Sequence, residues 1–201
     1  MKTSKQFPSY AYKIGIDIGD DPDLKTRSDE VQLLCYLADG TAGNLLEIGT
    51  NFGRTTRALA IHCRPRIVYG LDWVTDRPSM DPAQVNEMPT IQSVGRHARD
   101  LPNVRIALHN SADFDYTGKN IGFVFIDGDH TIAGVRTDTE LAVSAFEKGH
   151  TARPFTIAWH DYYMDRPIDG CFVGVRQYLD HEFSRPFCHV EGTAVAYANL
   201  T

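Results

Sequence analysis

Leu45-Leu46-Glu47-Ile48-Gly49-Thr50-Asn51-Phe52-Gly53 runs directly into Arg54-Thr55-Thr56-Arg57-Ala58-Leu59-Ala60, and this stretch decides the fold. A short, mostly apolar segment of strand length meets a turn bounded by two glycines, and the turn opens onto a segment of good helical composition. Glycine permits the tight turn and lets backbone approach a ligand, while the first N–H groups of the helix lack intrahelical acceptors. Strand, glycine turn and helix in this order begin a nucleotide-binding α/β unit. Taken alone, the pair of glycines is equally compatible with an ordinary turn.

Four further short runs rich in β-branched and aromatic residues follow, at 67–71, 104–108, 121–126 and 155–159. Between most of them lie stretches with helical periodicity. Val31, Leu34, Cys35 and Ala38 precede the first run, and Ile91, Val94, Ala98 and Leu101 precede the third. Alternation of strand and helix predicts a parallel sheet covered on both faces. Residues 187–200 read as two strands around Glu191-Gly192-Thr193, an antiparallel closing hairpin. The expected fold is a doubly wound α/β domain with a mostly parallel seven-stranded sheet and helices on both faces. It fills residues 1–201 as one unit, with a helical lead-in over 1–40. Pro78, Pro82 and Pro89 predict an irregular loop at 74–89, and 74–101 together with 165–170 are expected to shape an acceptor pocket.

The bulk composition narrows the partners. With 201 residues the chain can bury a core without metal or disulfide support, and 42% hydrophobic with 23% charged residues is the balance of a soluble globular protein. A formal charge of -6, with no dense basic run, opposes nucleic acid as a partner. Cys35, Cys63, Cys171 and Cys188 form no C-x-x-C pair, so their spacing suggests neither zinc nor a disulfide framework. No apolar run approaches a membrane span and no secretory signal is evident, so a cytoplasmic protein with no membrane partner is expected.

Asp72 ends the second run about 20 residues past the glycine loop, where a carboxylate can accept hydrogen bonds from ribose hydroxyls. Gly49 and Gly53 match neither G-x-G-x-x-G nor a P-loop, which weakens the dinucleotide and ATP readings. Glu47 would repel a pyrophosphate but suits the cationic methionine end of S-adenosylmethionine. At the other strand ends stand Asp127-Gly128-Asp129-His130 and His160-Asp161-Tyr162. With neighbouring strands, Asp127 and Asp161 can converge on a divalent cation that lowers the pKa of an acceptor hydroxyl, and His130 is placed to take its proton. The plainer alternatives are an aspartate that caps a following helix and a histidine at the surface. His62, His97, His150 and His181 lack any such context and are expected at the surface.

These motifs resemble the seven-stranded, Rossmann-like methyltransferases. D-G-D-H, H-D-Y and Gly174-Val175-Arg176 look like the macrocin and mycinamicin sugar O-methyltransferase group and its relatives, methyltransferase domain family 24. The resemblance implies that Glu47, Gly49, Thr50, Asn51, Phe52, Gly53 and Thr55 border the methionine part of the cofactor. It further implies Asp72 and Trp73 at the ribose, Ser111 and Ala112 at the adenine, and Asp127 beside both cofactor and metal. A magnesium site of Asp127, His160 and Asp161 is implied, with His130 as base. Two departures stand out. Asn51 occupies a position where many members carry glycine, and His160 stands where an acidic ligand is expected. The second leaves two options, a site of Asp127 and Asp161 alone or a softer metal.

The leading reading is a metal-assisted O-methyltransferase for a hydroxylated small molecule such as a sugar, phenol or natural product, and a homodimer is compatible with it. A non-catalytic S-adenosylmethionine-binding module and an NAD-dependent dehydrogenase are the competing readings.

Overall fold

A computed structural model describes residues 2–5, 26–73, 89–162 and 174–201. Its strands are β1 (Lys2–Lys5), β2 (Asn44–Ile48), β3 (Val68–Asp72), β4 (Val104–Leu108), β5 (Ile121–Ile126), β6 (Thr151–Trp159), β7 (Phe187–Val190) and β8 (Ala196–Leu200). They form one sheet in the order β1-β7-β8-β6-β5-β2-β3-β4. The helices are α1 (Ser28–Asp39), α2 (Arg54–His62), α3 (Ile132–Glu147) and α4 (Gly174–His181).

The seven expected strands are present, and the order reverses at β2, whose neighbours are β3 on one side and β5 on the other. Such a reversal opens a crevice at the carboxyl ends of the strands. The closing hairpin brings β8 antiparallel to both β6 and β7. An eighth strand, β1, adds to the edge parallel to β7, so the lead-in contributes a strand as well as α1.

Two apolar layers hold the sheet from opposite faces. On one, Val31, Leu34, Cys35 and Ala38 of α1 meet Ala58 and Leu59 of α2 over Leu45, Phe123 and Phe125, all buried. On the other, α3 and α4 cover Val124, Ile157 and Trp159 through Val135, Phe146, Val175 and Leu179. The indole Nε1 of Trp159 donates to Thr139 Oγ1 at 2.9 Å, so burying this largest core side chain leaves its donor satisfied.

One expectation fails. Residues 91–100 form consecutive turns rather than a helix. Gly95, at φ +66°, interrupts the run, and its amide donates to Asn51 O at 2.7 Å while His97 N donates to Phe52 O at 3.0 Å. Tertiary hydrogen bonds thus replace helical ones at the amides of Gly95 and His97. Val94 and Ala98 are buried as the periodicity suggests, but Ile91 is 55% exposed. Residues 74–88 and 165–170, and with them most of the expected acceptor pocket, lie outside the described residues. Among the described residues, no helix is long and apolar enough to cross a membrane.

Candidate active site

The glycine turn after β2 is set by backbone geometry. Gly49 has φ +93°, and a Cβ added there would lie 2.0 Å from the carbonyl oxygen of Asp127. Only glycine lets the end of β2 pass this close to the end of β5. Its amide and that of Thr50 donate to Leu71 O at 2.9 and 3.1 Å, tying the turn to β3. Gly53 begins α2 at φ +87°, facing Gly95 so closely that a Cβ would sit 2.7 Å from its Cα. Asn51 has φ +48°, the left-handed region that asparagine enters more readily than most side chains. The departure from glycine at this position therefore keeps a glycine-like backbone.

Asp72 Oδ2 accepts from Asn51 N at 2.6 Å, fixing the carboxylate at the mouth of the turn. Trp73 follows it and is 48% exposed. Thr50 Oγ1 and Asn51 Oδ1 are buried without a hydrogen-bond partner among the described residues. Orphaned polar atoms beside a glycine turn fit a polar ligand that supplies their partners. Phe52 carries the Arg96 guanidinium 4.2 Å from its ring centroid, and Thr55 is buried in the first turn of α2.

Glu47 lies fully within the protein and accepts from Thr56 Oγ1. Burial pushes its carboxyl up to about 8, against the Thr56 hydrogen bond and with the Asp127 and Asp72 charges adding to the rise. At neutral pH the neutral acid is therefore the favoured form. Ser111 and Ala112 occupy a single 3₁₀ turn after β4. The Ser111 hydroxyl donates to Asp138 Oδ1 at 2.5 Å, and Ala112 N donates to Asn110 Oδ1 at 3.0 Å. Burial raises Asp138 to about 6 despite that hydroxyl.

The acid-histidine cluster is built from side chains of neighbouring strands. His130 Nε2 lies 2.8 Å from Asp161 Oδ2 and 3.4 Å from Asp127 Oδ1. His160 Nδ1 lies 3.2 Å from Asp161 Oδ1 and 3.4 Å from Asp127 Oδ1, while its Nε2 lies 3.2 Å from Glu30 Oε2. Asp161 holds its place at φ +59°, a strained backbone for a non-glycine residue. Asp127 does not cap a helix, because Thr131 Oγ1 caps α3 by accepting from Gly134 N at 3.1 Å.

Burial opposes charge on all five groups, but their mutual contacts outweigh it. The His160 charge and the hydrogen bonds from both imidazoles hold Asp127 below the usual carboxylate range, and Asp161 falls well below it for the same reasons. Hydrogen bonds to Asp127 and Asp161 lift His130 to about 10, and His160 is raised further by Asp127, Asp161 and Glu30.

Asp127, His130 and Asp161 each offer a ligand atom within 4.8 Å of the others. This trio shares Asp127 and Asp161 with the expected set, and the expected His160 meets the same two carboxylates through Nδ1 while its Nε2 meets Glu30. Glu30 was not singled out in the sequence. It accepts from Arg27 N at 3.1 Å and Ala194 N at 2.7 Å as well as meeting His160. The available signal was its register, since Glu30 shares the buried face of Leu33, Leu34 and Leu37.

Residues 46–162, more than half of the chain, match the sequence profile of the methyltransferase domain family, and the chain belongs to that family. It is a class I S-adenosylmethionine-dependent methyltransferase, which sets aside the dehydrogenase reading. No curated protein matches the chain. Among solved structures, it is similar to cofactor-bound Rv0187 from MTB at 20% identity, covering 90% of this chain and 83% of that one with a TM-score of 0.57. The SAH-bound Podospora anserina methyltransferase PaMTH1 follows at 12% identity, 89% and 81% coverage and a TM-score of 0.58. The O-methyltransferase from Bacillus cereus in complex with SAH has 16% identity, 88% and 83% coverage and a TM-score of 0.53. At these identities the likeness is one of fold.

Proposed function

We propose that this methyltransferase transfers its methyl group to a hydroxyl oxygen of a small molecule, with a divalent cation held at Asp127 and Asp161. The observation that carries the reading is the convergence of these two carboxylates and His130 at the ends of β5 and β6, against the backbone of Gly49. Two carboxylates suit magnesium, and participation of the His160 nitrogen would favour a softer ion such as manganese or zinc, leaving His130 as the base. When bound, the cation supplies positive charge that lowers the pKa of an acceptor hydroxyl.

The chain's own residues do the rest. Glu47, Gly49, Thr50, Asn51, Phe52, Gly53 and Thr55 border the methionine part of S-adenosylmethionine. Asp72 accepts from the ribose hydroxyls beside Trp73, while Ser111 and Ala112 border the adenine. His130 is charged as long as Asp127 and Asp161 hold its proton. Once those oxygens are engaged elsewhere it falls toward the ordinary histidine range, and the neutral imidazole accepts the acceptor's proton. His160, bridged to Glu30, ties both carboxylates to α1 and orients them.

The test is methyl transfer from labelled S-adenosylmethionine to a panel of catechols, phenols and sugars, with magnesium, manganese or a chelator. Cation-dependent methyl ethers are expected. Turnover indifferent to chelator would remove the metal, and cofactor binding with no product across the panel would place the acceptor outside these hydroxylated small molecules.

A further inference from the structure

The spacing of the cysteines suggests no metal, yet the fold brings one of them beside a histidine and an aspartate far from the glycine turn. Asp39 is the last residue of α1, His62 is the last residue of α2, and Cys63 caps α2. α2 starts at the glycine turn and its nine residues carry the chain about 13 Å away from it. One ligand atom from each of Asp39, His62 and Cys63 lies within 4.8 Å of the others. His62 Nε2 is 2.7 Å from Asp39 Oδ2, and both side chains reach solvent.

Cys63 is only 4% exposed, is not in a disulfide, and its thiol has no hydrogen-bond partner among the described residues. A buried thiol with nothing to donate to, beside an imidazole and a carboxylate, is a donor set for a borderline-soft ion. Two helix C-termini meet here, and their partial negative charge favours a cation. Arg66 is a cation that acts on Cys63, but its guanidinium is spread over Ala38 O at 2.8 Å, Thr41 Oγ1 at 2.9 Å, Ala42 O at 3.3 Å and Gly43 O. Cys35, also buried, lies in the same apolar layer and belongs in the test as a control.

We infer that Asp39, His62 and Cys63 form a second cation site, separate from the catalytic cluster, that takes a thiophilic divalent ion such as Zn²⁺ and clamps the C-terminal ends of α1 and α2 together. On binding, the Cys63 S–H bond breaks, its proton leaves to solvent and the sulfur electron pair bonds the ion. Water completes the fourth position.

The experiment uses the whole chain, stripped by chelator and titrated with Co²⁺ and Zn²⁺. Wild type is expected to show a thiolate-to-cobalt charge-transfer band that Cys63→Ser abolishes and that both Cys35→Ala and Asp127→Asn retain. His62→Gln is expected to weaken Zn²⁺ binding by at least about tenfold while leaving S-adenosylmethionine binding unchanged. His62 is only partly buried and reaches solvent, so this variant remains informative should Cys63→Ser fail to fold. Absence of the band in folded wild type, its survival in Cys63→Ser, or unchanged Zn²⁺ affinity in His62→Gln overturns the proposal.

Discussion

The turn after β2 and the cluster after β5 and β6 share one end of one sheet but are built by different means. The turn is made of backbone. Gly49, Asn51 and Gly53 take positive φ, and the amides of residues 49–51 are held by Leu71 O and the Asp72 carboxylate. The cluster is made of side chains, with two imidazoles among three carboxylates. A backbone site tolerates changes in most side chains but not in its glycines. A side-chain site tolerates shifts in backbone but not the loss of one member of a buried charge network. The two are joined where a Cβ on Gly49 would meet Asp127 O, so neither can relax without the other.

The largest expected effect comes from breaking both regions at that junction. Gly49→Ala should destabilise the fold by about 4 kcal/mol in chemical denaturation and remove S-adenosylmethionine binding by calorimetry, because the methyl meets a carbonyl and φ is unfavourable. Retention of cofactor affinity would show that the turn has more room than its geometry implies.

Glu30→Ala acts on the cluster alone. It leaves His160 charged and buried without one partner and frees Ala194 N, for about 3 kcal/mol of lost stability in the same assay. A loss below about 1 kcal/mol would mean that Glu30 is not what holds the cluster to α1. Asp127→Asn should keep the fold while lowering cation-dependent turnover by about 10²-fold or more, with cofactor affinity changed far less. Equal loss of both would merge the two regions into one functional unit.

Glu47 sharpens the comparison through pH. Its folded-state pKa is raised to about 8, so the unliganded protein is favoured by the neutral acid below the ordinary glutamate value and loses that stability as pH rises through about 8. A cationic ligand reverses the preference by drawing on the carboxylate. S-adenosylmethionine binding should therefore release a proton at neutral pH, with affinity rising up to about pH 8 and then levelling, which calorimetry in buffers of different ionisation enthalpy measures. Zero proton release at pH 7 would show that Glu47 does not face the methionine end. The smallest effect is expected from Thr56→Val, about 1 kcal/mol of stability, since it removes one hydroxyl donor from the buried acid.

The turn was legible because its information is local. Gly49, Gly53, Glu47 and Asp72 stand within one β-α-β unit, and apolar runs of strand length announced β2 to β5 with little error at their ends, whereas β6 begins at Thr151, four residues ahead of its run. Residues 91–100 misled because their apolar period was satisfied by burial while Gly95 turned its amide to Asn51. Periodicity reports which side chains are buried, not which carbonyl each amide meets.

The sequence by itself determined the succession of β2 to β8, the conformations demanded by the glycines, and the acids at the strand ends, because steric limits and hydrophobic period act over a few residues. Tertiary structure decided that His160 meets Glu30 across 130 positions and that Glu30 meets Ala194 across 164. It likewise decided that His130 faces Asp127 and Asp161, and that Cys63 lies beside His62 and Asp39. Those neighbours follow from the order of strands in the sheet and the faces on which the helices pack, and burial of the whole core selects that order rather than any short stretch of chain.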